Sequence, residues 1–394
     1  MADLAGKAGA GSGVVMGAHS KRHAITSLPE AQTPLAAALR ERISREGPIS
    51  VHDFMQACLS DARAGYYMTH QPIGTDGDFI TAPEIGQVFG ELLGVWAASV
   101  WQTMGEPASV IVAELGPGRG TLMVDALRVF GRVPRLLESV AIALVETSPV
   151  LRSVQQETLS KSPAPVQWYD SVEDVPQGPV ILIANEFIDA LPVRQFLRQG
   201  GAWRERCVTP TNKGRFAFCA GAPVSDDELP ASLRGAEVAD GAILETRPAA
   251  LSLVSLLAER AKHSAVAALF ADYGHAETGF GDTLQAVQRH RFADPLAMPG
   301  EADLTTHVDF AALKDTAIAL GLAAYGPMPQ GEFLLRLGLA QRCERLLQNA
   351  VPKQKAAILS GAERLAGPNH MGLLFKIIAL QSSGLAPPPP FGDI

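Results

Sequence analysis

Val110-Ile111-Val112-Ala113-Glu114-Leu115-Gly116-Pro117-Gly118-Arg119-Gly120-Thr121 is the stretch on which the fold turns. A short apolar run broken only by Glu114 ends in alternating glycines, and a helical pattern follows from Thr121 to Phe130. Such a run reads as a strand buried on both faces of a parallel sheet. Glycine lets the backbone turn sharply and approach a ligand without a Cβ clash. The following helix N-terminus offers free amides. Glu114, at the strand end, can accept from an ammonium or orient the loop. The expected ligand is nucleotide-like and lies at the carboxyl edge of the strands. The spacing narrows the choice. A dinucleotide fingerprint GxGxxG would place glycine where Thr121 stands, and a Walker loop needs Gly-Lys before Ser or Thr, where this chain has Gly118-Arg119-Gly120.

Working outward, the same rhythm repeats. Ala141 to Glu146 is a second buried strand, followed by a helix from Pro149. Val180 to Ala184 and Ala265 to Ala271 are further strands. Strands alternating with helices predict an α/β fold with a doubly wound, mostly parallel sheet. Upstream, Leu35, Leu39 and Ile43 fit a helix after Pro34. Val51, Phe54, Met55, Cys58 and Leu59 fit another capped by Ser50. Ile85 to Thr103 returns to helical spacing. Between Pro192 and Ala265 the pattern shifts to antiparallel strands at Val193 to Leu197, Trp203 to Val208 and Phe216 to Cys219. The expected organisation is a disordered tail 1–32, an N-terminal helical segment with a lid loop over 33–105, and a core at 106–192 and 265–380. An inserted subdomain takes 193–264, and a proline-rich loose tail 381–394. Asp309 to Leu320 and Gly331 to Leu347 read as helices, and Leu373 to Leu380 as a final strand.

Composition excludes several classes. The 394 residues are 47% hydrophobic and 19% charged, with net charge −8. An acidic chain gains little from counterion release, so no nucleic-acid partner is expected. No apolar run approaches the ~18 residues needed to span a bilayer, so no membrane insertion is expected. The tail lacks the charged start and apolar core of a signal peptide, and the arginine-rich face of a transit peptide. Four cysteines without CxxC spacing and nine histidines without HExxH spacing predict neither a disulfide scaffold nor a metal site.

The pattern ExGxGxG from Glu114 to Gly120 resembles the first motif of class I methyltransferases, and that resemblance implies S-adenosylmethionine as cofactor. Glu146 ends the next strand, where a carboxylate in such folds holds the ribose hydroxyls; a helix-capping acid is the plainer alternative. Tyr169 and Asp170 follow the next apolar segment, where an aromatic can stack on adenine and an acid can receive its amino group. Asn185-Glu186-Phe187-Ile188-Asp189 leaves the Val180 strand at the edge facing the methyl group. There Asn185, Glu186 and Asp189 are candidates to hold an amino or guanidino nitrogen and manage its proton. The loop Gly74 to Ile85 can fold over the cofactor as a lid, with Asp78 or Thr81 at the methionine end. Asp272 and Tyr273 are weaker candidates for substrate contact, and His307 reads as a structural histidine.

Several long motifs together resemble the MidA-like methyltransferases. They are Gly77-Asp78-Phe79-Ile80-Thr81-Ala82-Pro83-Glu84-Ile85, Phe89-Gly90-Glu91, Glu114 to Met123, Asn185 to Pro192, Asp272-Tyr273-Gly274, Asp303 to Asp309 and Gln330 to Leu334. This family includes a mitochondrial complex I assembly-factor arginine methyltransferase and bacterial relatives. The resemblance runs from about Leu35 to about Leu380 and implies a class I fold with extra helices and an insertion. It implies that Gly116, Gly118 and Gly120 cradle the methionine part, that Glu146 takes the ribose, and that Asn185 and Glu186 face the substrate. The acceptor it implies is an arginine on a protein, a complex I subunit in the mitochondrial member. Glu186, Asp189 and Glu245 are the carboxylates available to a guanidinium. Methylation of a small molecule or another nitrogen is an alternative, as is a non-catalytic assembly chaperone. The alanine- and arginine-rich composition leans towards a bacterial cytoplasm, with the mitochondrial matrix as the alternative. Oligomeric state is not legible.

Overall fold

The computed structural model describes residues 33–70, 74, 78, 80–230 and 233–392. The expected tail 1–32 and part of the expected lid, residues 75–77 and 79, lie outside these.

The central sheet contains β1 (Val110–Leu115), β2 (Val140–Val145), β3 (Val166–Tyr169), β4 (Val180–Asn185), β5 (Val266–His275), β6 (Leu322–Pro329) and β7 (Phe375–Ser382). Their order across the sheet is β6-β7-β5-β4-β1-β2-β3. β3, β2, β1, β4 and β5 pair in parallel, and β7 runs antiparallel to both β5 and β6. The order reverses between β1 and β4, which opens a crevice at the carboxyl ends of these two strands.

Alternation along each strand divides the core in two. Val110, Val112, Ile142, Leu144, Ile181 and Ile183 face a layer built by helices Val88–Thr103 and Thr121–Phe130, joined by residues of the C-terminal helices. Leu115, Ala143, Leu182 and Phe270 face the other layer, built by helices Pro248–Ala261 and Phe310–Ala319. Both faces of the sheet are covered, which is why the strands read as continuous apolar runs.

A second, antiparallel sheet is made of Ile49–Ser50, Ala202–Pro210, Arg194–Gln199 and Ile243–Thr246, with Phe216–Pro223 paired to Ala202–Pro210. It lies where the sequence changes pattern, with two corrections. Helix Pro248–Ala261 packs on the central sheet through Ala250, Leu253, Val254 and Leu257, so the end of the expected subdomain belongs to the core. The N-terminal strand Ile49–Ser50 also joins this sheet, so the insertion is not closed on itself. The tail expected to be loose is held: the Phe391 ring lies 5.7 Å from Phe333 and 6.4 Å from Tyr325. Proline composition marked it as irregular, but docking depends on one aromatic.

Candidate functional site

A cleft of about 350 Å³ opens at the crevice between β1 and β4, within the size range of small-molecule sites. Its floor is the glycine loop: Glu114, Gly116, Pro117, Gly118 and Arg119 all line it. Gly116 and Gly118 have φ of +58° and +55°, left-handed values that disfavour side chains. A Cβ on Gly116 would also meet the Phe187 ring at 2.8 Å. Gly120 differs from expectation. It is the N-cap of helix Thr121–Phe130 at φ +80° and faces Leu159 and Thr158, so it shapes the loop from outside the cleft.

Glu114 is 3% exposed, and burial pushes its carboxyl up to about 8. Its Oε2 has no hydrogen-bond partner among the described residues. Glu146 lines the cleft at the end of β2. Its Oε1 accepts the Ser148 N–H (2.8 Å) and its Oε2 accepts from Gln155 Nε2 (3.0 Å). Burial raises it, against those hydrogen bonds. The capping alternative is therefore present, while each oxygen keeps a lone pair for a further donor.

β4 delivers Asn185 and Glu186 to the same cleft. Glu186 Oε1 accepts the Ala82 N–H (2.9 Å) and the Asn185 amide (3.1 Å). Burial pushes the Glu186 carboxyl up to about 7, opposed by the Ala82 N–H and aided by the negative charge of Asp189. Asn185 Oδ1 is buried without a partner among the described residues. Thr81 lines the cleft at the start of helix Ala82–Ile85, with no side-chain cap bond among the described residues. Asp170 reaches the rim, where Arg152 Nη2 donates to it (2.6 Å) on the open surface.

Besides Gly120, three expected site residues lie elsewhere. The Tyr169 hydroxyl donates to Gln167 (2.6 Å) and its ring packs on the second core layer, because β3 alternation turns it from the cleft. Asp189 is buried behind the turn, beside Tyr273 and Arg247, and its Oδ1 has no partner among the described residues. Asp78 accepts from the Tyr66 hydroxyl (2.5 Å) and the Arg289 N–H (2.7 Å), bracing the loop. The carboxylates offered for a guanidinium thus reduce to Glu186. Glu245 accepts from Gln195 (2.7 Å) and from Thr283 in a separate cavity.

Other residues join the cleft unannounced by the sequence. Leu59, Ser60, Tyr67 and Met68 come from the N-terminal segment. The Tyr67 hydroxyl donates to Asp303 Oδ1 (2.7 Å), far along the chain, and local patterning holds no signal for that contact. His307 sits edge-on to Tyr273 at 5.6 Å, and burial lowers it to about 4, fitting a structural role.

Strand order, glycine loop and acidic cleft define a class I methyltransferase. Residues 92–328 match a family model described as "Putative S-adenosyl-L-methionine-dependent methyltransferase", and the chain belongs to this family, in agreement with the MidA-like resemblance. It is 38% identical over 379 residues to the mitochondrial protein arginine methyltransferase NDUFAF7 homolog of Drosophila melanogaster, covering 89% of this chain and 86% of that protein. It is 36% identical over 375 residues to mitochondrial protein arginine methyltransferase NDUFAF7 of Homo sapiens, covering 88% and 83%. A crystal structure from Burkholderia thailandensis, bound to S-adenosyl-homocysteine, superposes with TM-score 0.78 at 29% identity, covering 92% of this chain and 97% of that one. The protein is an S-adenosylmethionine-dependent methyltransferase, and its cleft fits the cofactor: Glu114 Oε2 is an orphaned acceptor beside glycines that leave room for a ligand.

Proposed function

We propose that the protein methylates an arginine side chain of a protein, and that Asn185 and Glu186 handle the acceptor nitrogen. The observation that carries this is the pair of acceptors in one cleft, the unpartnered Asn185 Oδ1 and the Glu186 carboxyl. Both seek N–H donors, and a guanidinium supplies several in one plane. The relatives' name, protein arginine methyltransferase, supports the same acceptor.

When bound, S-adenosylmethionine supplies a methyl group activated on a sulfonium. Gly116 and Gly118 would hold its methionine portion, Glu114 its ammonium and Glu146 its ribose. Thr81 and Asp170 lie where further contacts are available. The acceptor nitrogen gives up one proton as it gains the methyl, and Glu186 takes it. A carboxyl near 7 is matched to that task at neutral pH.

The finer target, a respiratory complex I subunit methylated during assembly, follows from the MidA-like resemblance. The relatives' mitochondrial names support a mitochondrial location, the alternative to the bacterial cytoplasm expected from composition, and do not support that cytoplasm. Two measurements test the proposal. Calorimetry should show binding of S-adenosylmethionine. Mass spectrometry of complex I from a deletion strain should show loss of an arginine methyl mark, and an unchanged mark on every subunit would refute the target.

A further inference from the structure

The turn that carries Asn185 and Glu186 is braced from behind by residues outside the cleft. Glu186 has φ +49°, a left-handed value for a side chain that persists only where its surroundings over-determine it. Its N–H donates to Ala271 O (2.9 Å), extending the β4–β5 ladder by one bond. The next residue of β5 is Asp272, 1% exposed. Asp272 Oδ2 accepts the N–H groups of Ile188 (3.0 Å) and Asp189 (3.1 Å), and Oδ1 accepts the N–H of Tyr273 (2.9 Å). Arg247 holds the far end: Nε donates to Leu191 O (3.1 Å), and Nη2 donates to Thr306 O (3.2 Å) and to the Thr306 hydroxyl. The Thr306 N–H in turn donates to Asp189 O (3.1 Å). Three segments distant in sequence therefore fix one short turn.

We propose that Asp272, seconded by Arg247, is a positioning residue of the methyl-transfer site, fixing the 186–191 backbone so that the Glu186 carboxylate meets the acceptor nitrogen. This rests on the reading that Glu186 takes the acceptor's proton. The chemistry asks for a carboxylate, because three N–H groups converge on Asp272. An asparagine offers one oxygen, and its amide would face a donor. Charge also reaches Glu186 from this network. Asp189 on the turn presents negative charge to it and raises it. Asp272 on β5 and Asp303 on the strand Asp303–Thr305 are further acid neighbours, both raised above the ordinary carboxylate range by burial, and Arg247 is the buried cation beside Asp189 and Asp272.

Asp272→Asn and Arg247→Lys in the full chain test the role. Both are expected to bind S-adenosylhomocysteine by calorimetry, since neither side chain lines the cleft. In both, the Glu186 titration followed by carboxyl 13C NMR should fall from about 7 towards the ordinary carboxylate value, as enclosure by the turn is loosened. With an arginine peptide, kcat should drop on the order of 10²-fold, with KM for the peptide little changed. The titration needs no acceptor. A wild-type protein that binds cofactor but methylates no arginine therefore sinks the arginine reading alone. An unmoved Glu186 midpoint in a variant that folds and binds cofactor overturns the positioning role. Hydrogen exchange on the unaltered protein covers the case of variants that fail to fold: Ile188 and Asp189 amides protected like those of β4 are expected, and free exchange there overturns the clamp.

Discussion

At the scale of single residues, two buried acids set the same demand on pH, at two different midpoints. Glu186 must be ionised to take a proton, and burial holds it near 7. The transfer rate should therefore rise with pH through about 7 and fall below it. Glu186→Gln should lose on the order of 10²–10⁴ in rate while still binding cofactor. Single-turnover rates from pH 5 to 9 check both, and a flat profile would remove Glu186 from the role. Burial holds Glu114 near 8, so at pH 7 it is largely protonated. A bound ammonium favours the carboxylate, so binding must expel that proton. Affinity for S-adenosylmethionine should weaken as pH falls below about 8, by at most about tenfold per unit. Calorimetry in buffers of different ionisation heat would show the released proton. The legible part of the site is the part carried by strand ends: Glu114, Gly116, Gly118, Glu146, Asn185 and Glu186 each follow an apolar run. Tyr67 was illegible because its partner Asp303 is remote in sequence. Tyr169 and Asp189 were misplaced because being near a strand mouth does not say which way a side chain leaves it.

At the scale of elements, the cleft depends on how tightly the helix before β1 packs on the helix after it. Helix Val88–Thr103 approaches Thr121–Phe130 through Gly90 and Gly94. A Cβ on Gly94 would stand 2.8 Å from Ala126 Cα, which is backbone and cannot swing aside. Gly94→Val should cost about 1–3 kcal/mol in urea unfolding, and it should loosen the loop between β1 and Thr121. A variant as stable as wild type would show that the two helices can slide apart. The sequence read these helices from their apolar spacing, and read β1, β2, β4 and β5 from their runs. It missed β6, whose residues are mostly half-buried and carry Gly326 and two prolines, so no continuous apolar run marks it. The antiparallel direction of β7 was equally hidden, since a buried strand between two others is apolar whichever way it points.

At the scale of the whole molecule, the C-terminal helices are tied to the N-terminal ones by one ion pair across much of the chain. Arg342, on helix Leu339–Gln348, donates through Nε and Nη2 to both oxygens of Glu91 (2.6 and 2.8 Å). The Glu91 side chain is 7% exposed and Arg342 23%, so solvent screens the pair only in part. Such a pair adds little over apolar packing, but removing one partner strands a buried charge. Among the described residues, Glu91 would keep only the 3.3 Å hydrogen bond from Gln87. Arg342→Ala should therefore destabilise by about 2 kcal/mol. The double variant Glu91→Gln, Arg342→Ala should recover part of that loss, because the stranded charge is gone. Neither residue lines the cofactor cleft, so affinity for S-adenosylhomocysteine should be unchanged in both variants. Equal losses in the single and double variants would mean that Arg342 acts through its packing and that the charge of Glu91 is solvated by other means. A drop in cofactor affinity would instead show that this pair is coupled to the cleft, at whose edge Glu84 accepts from Thr121 (2.5 Å).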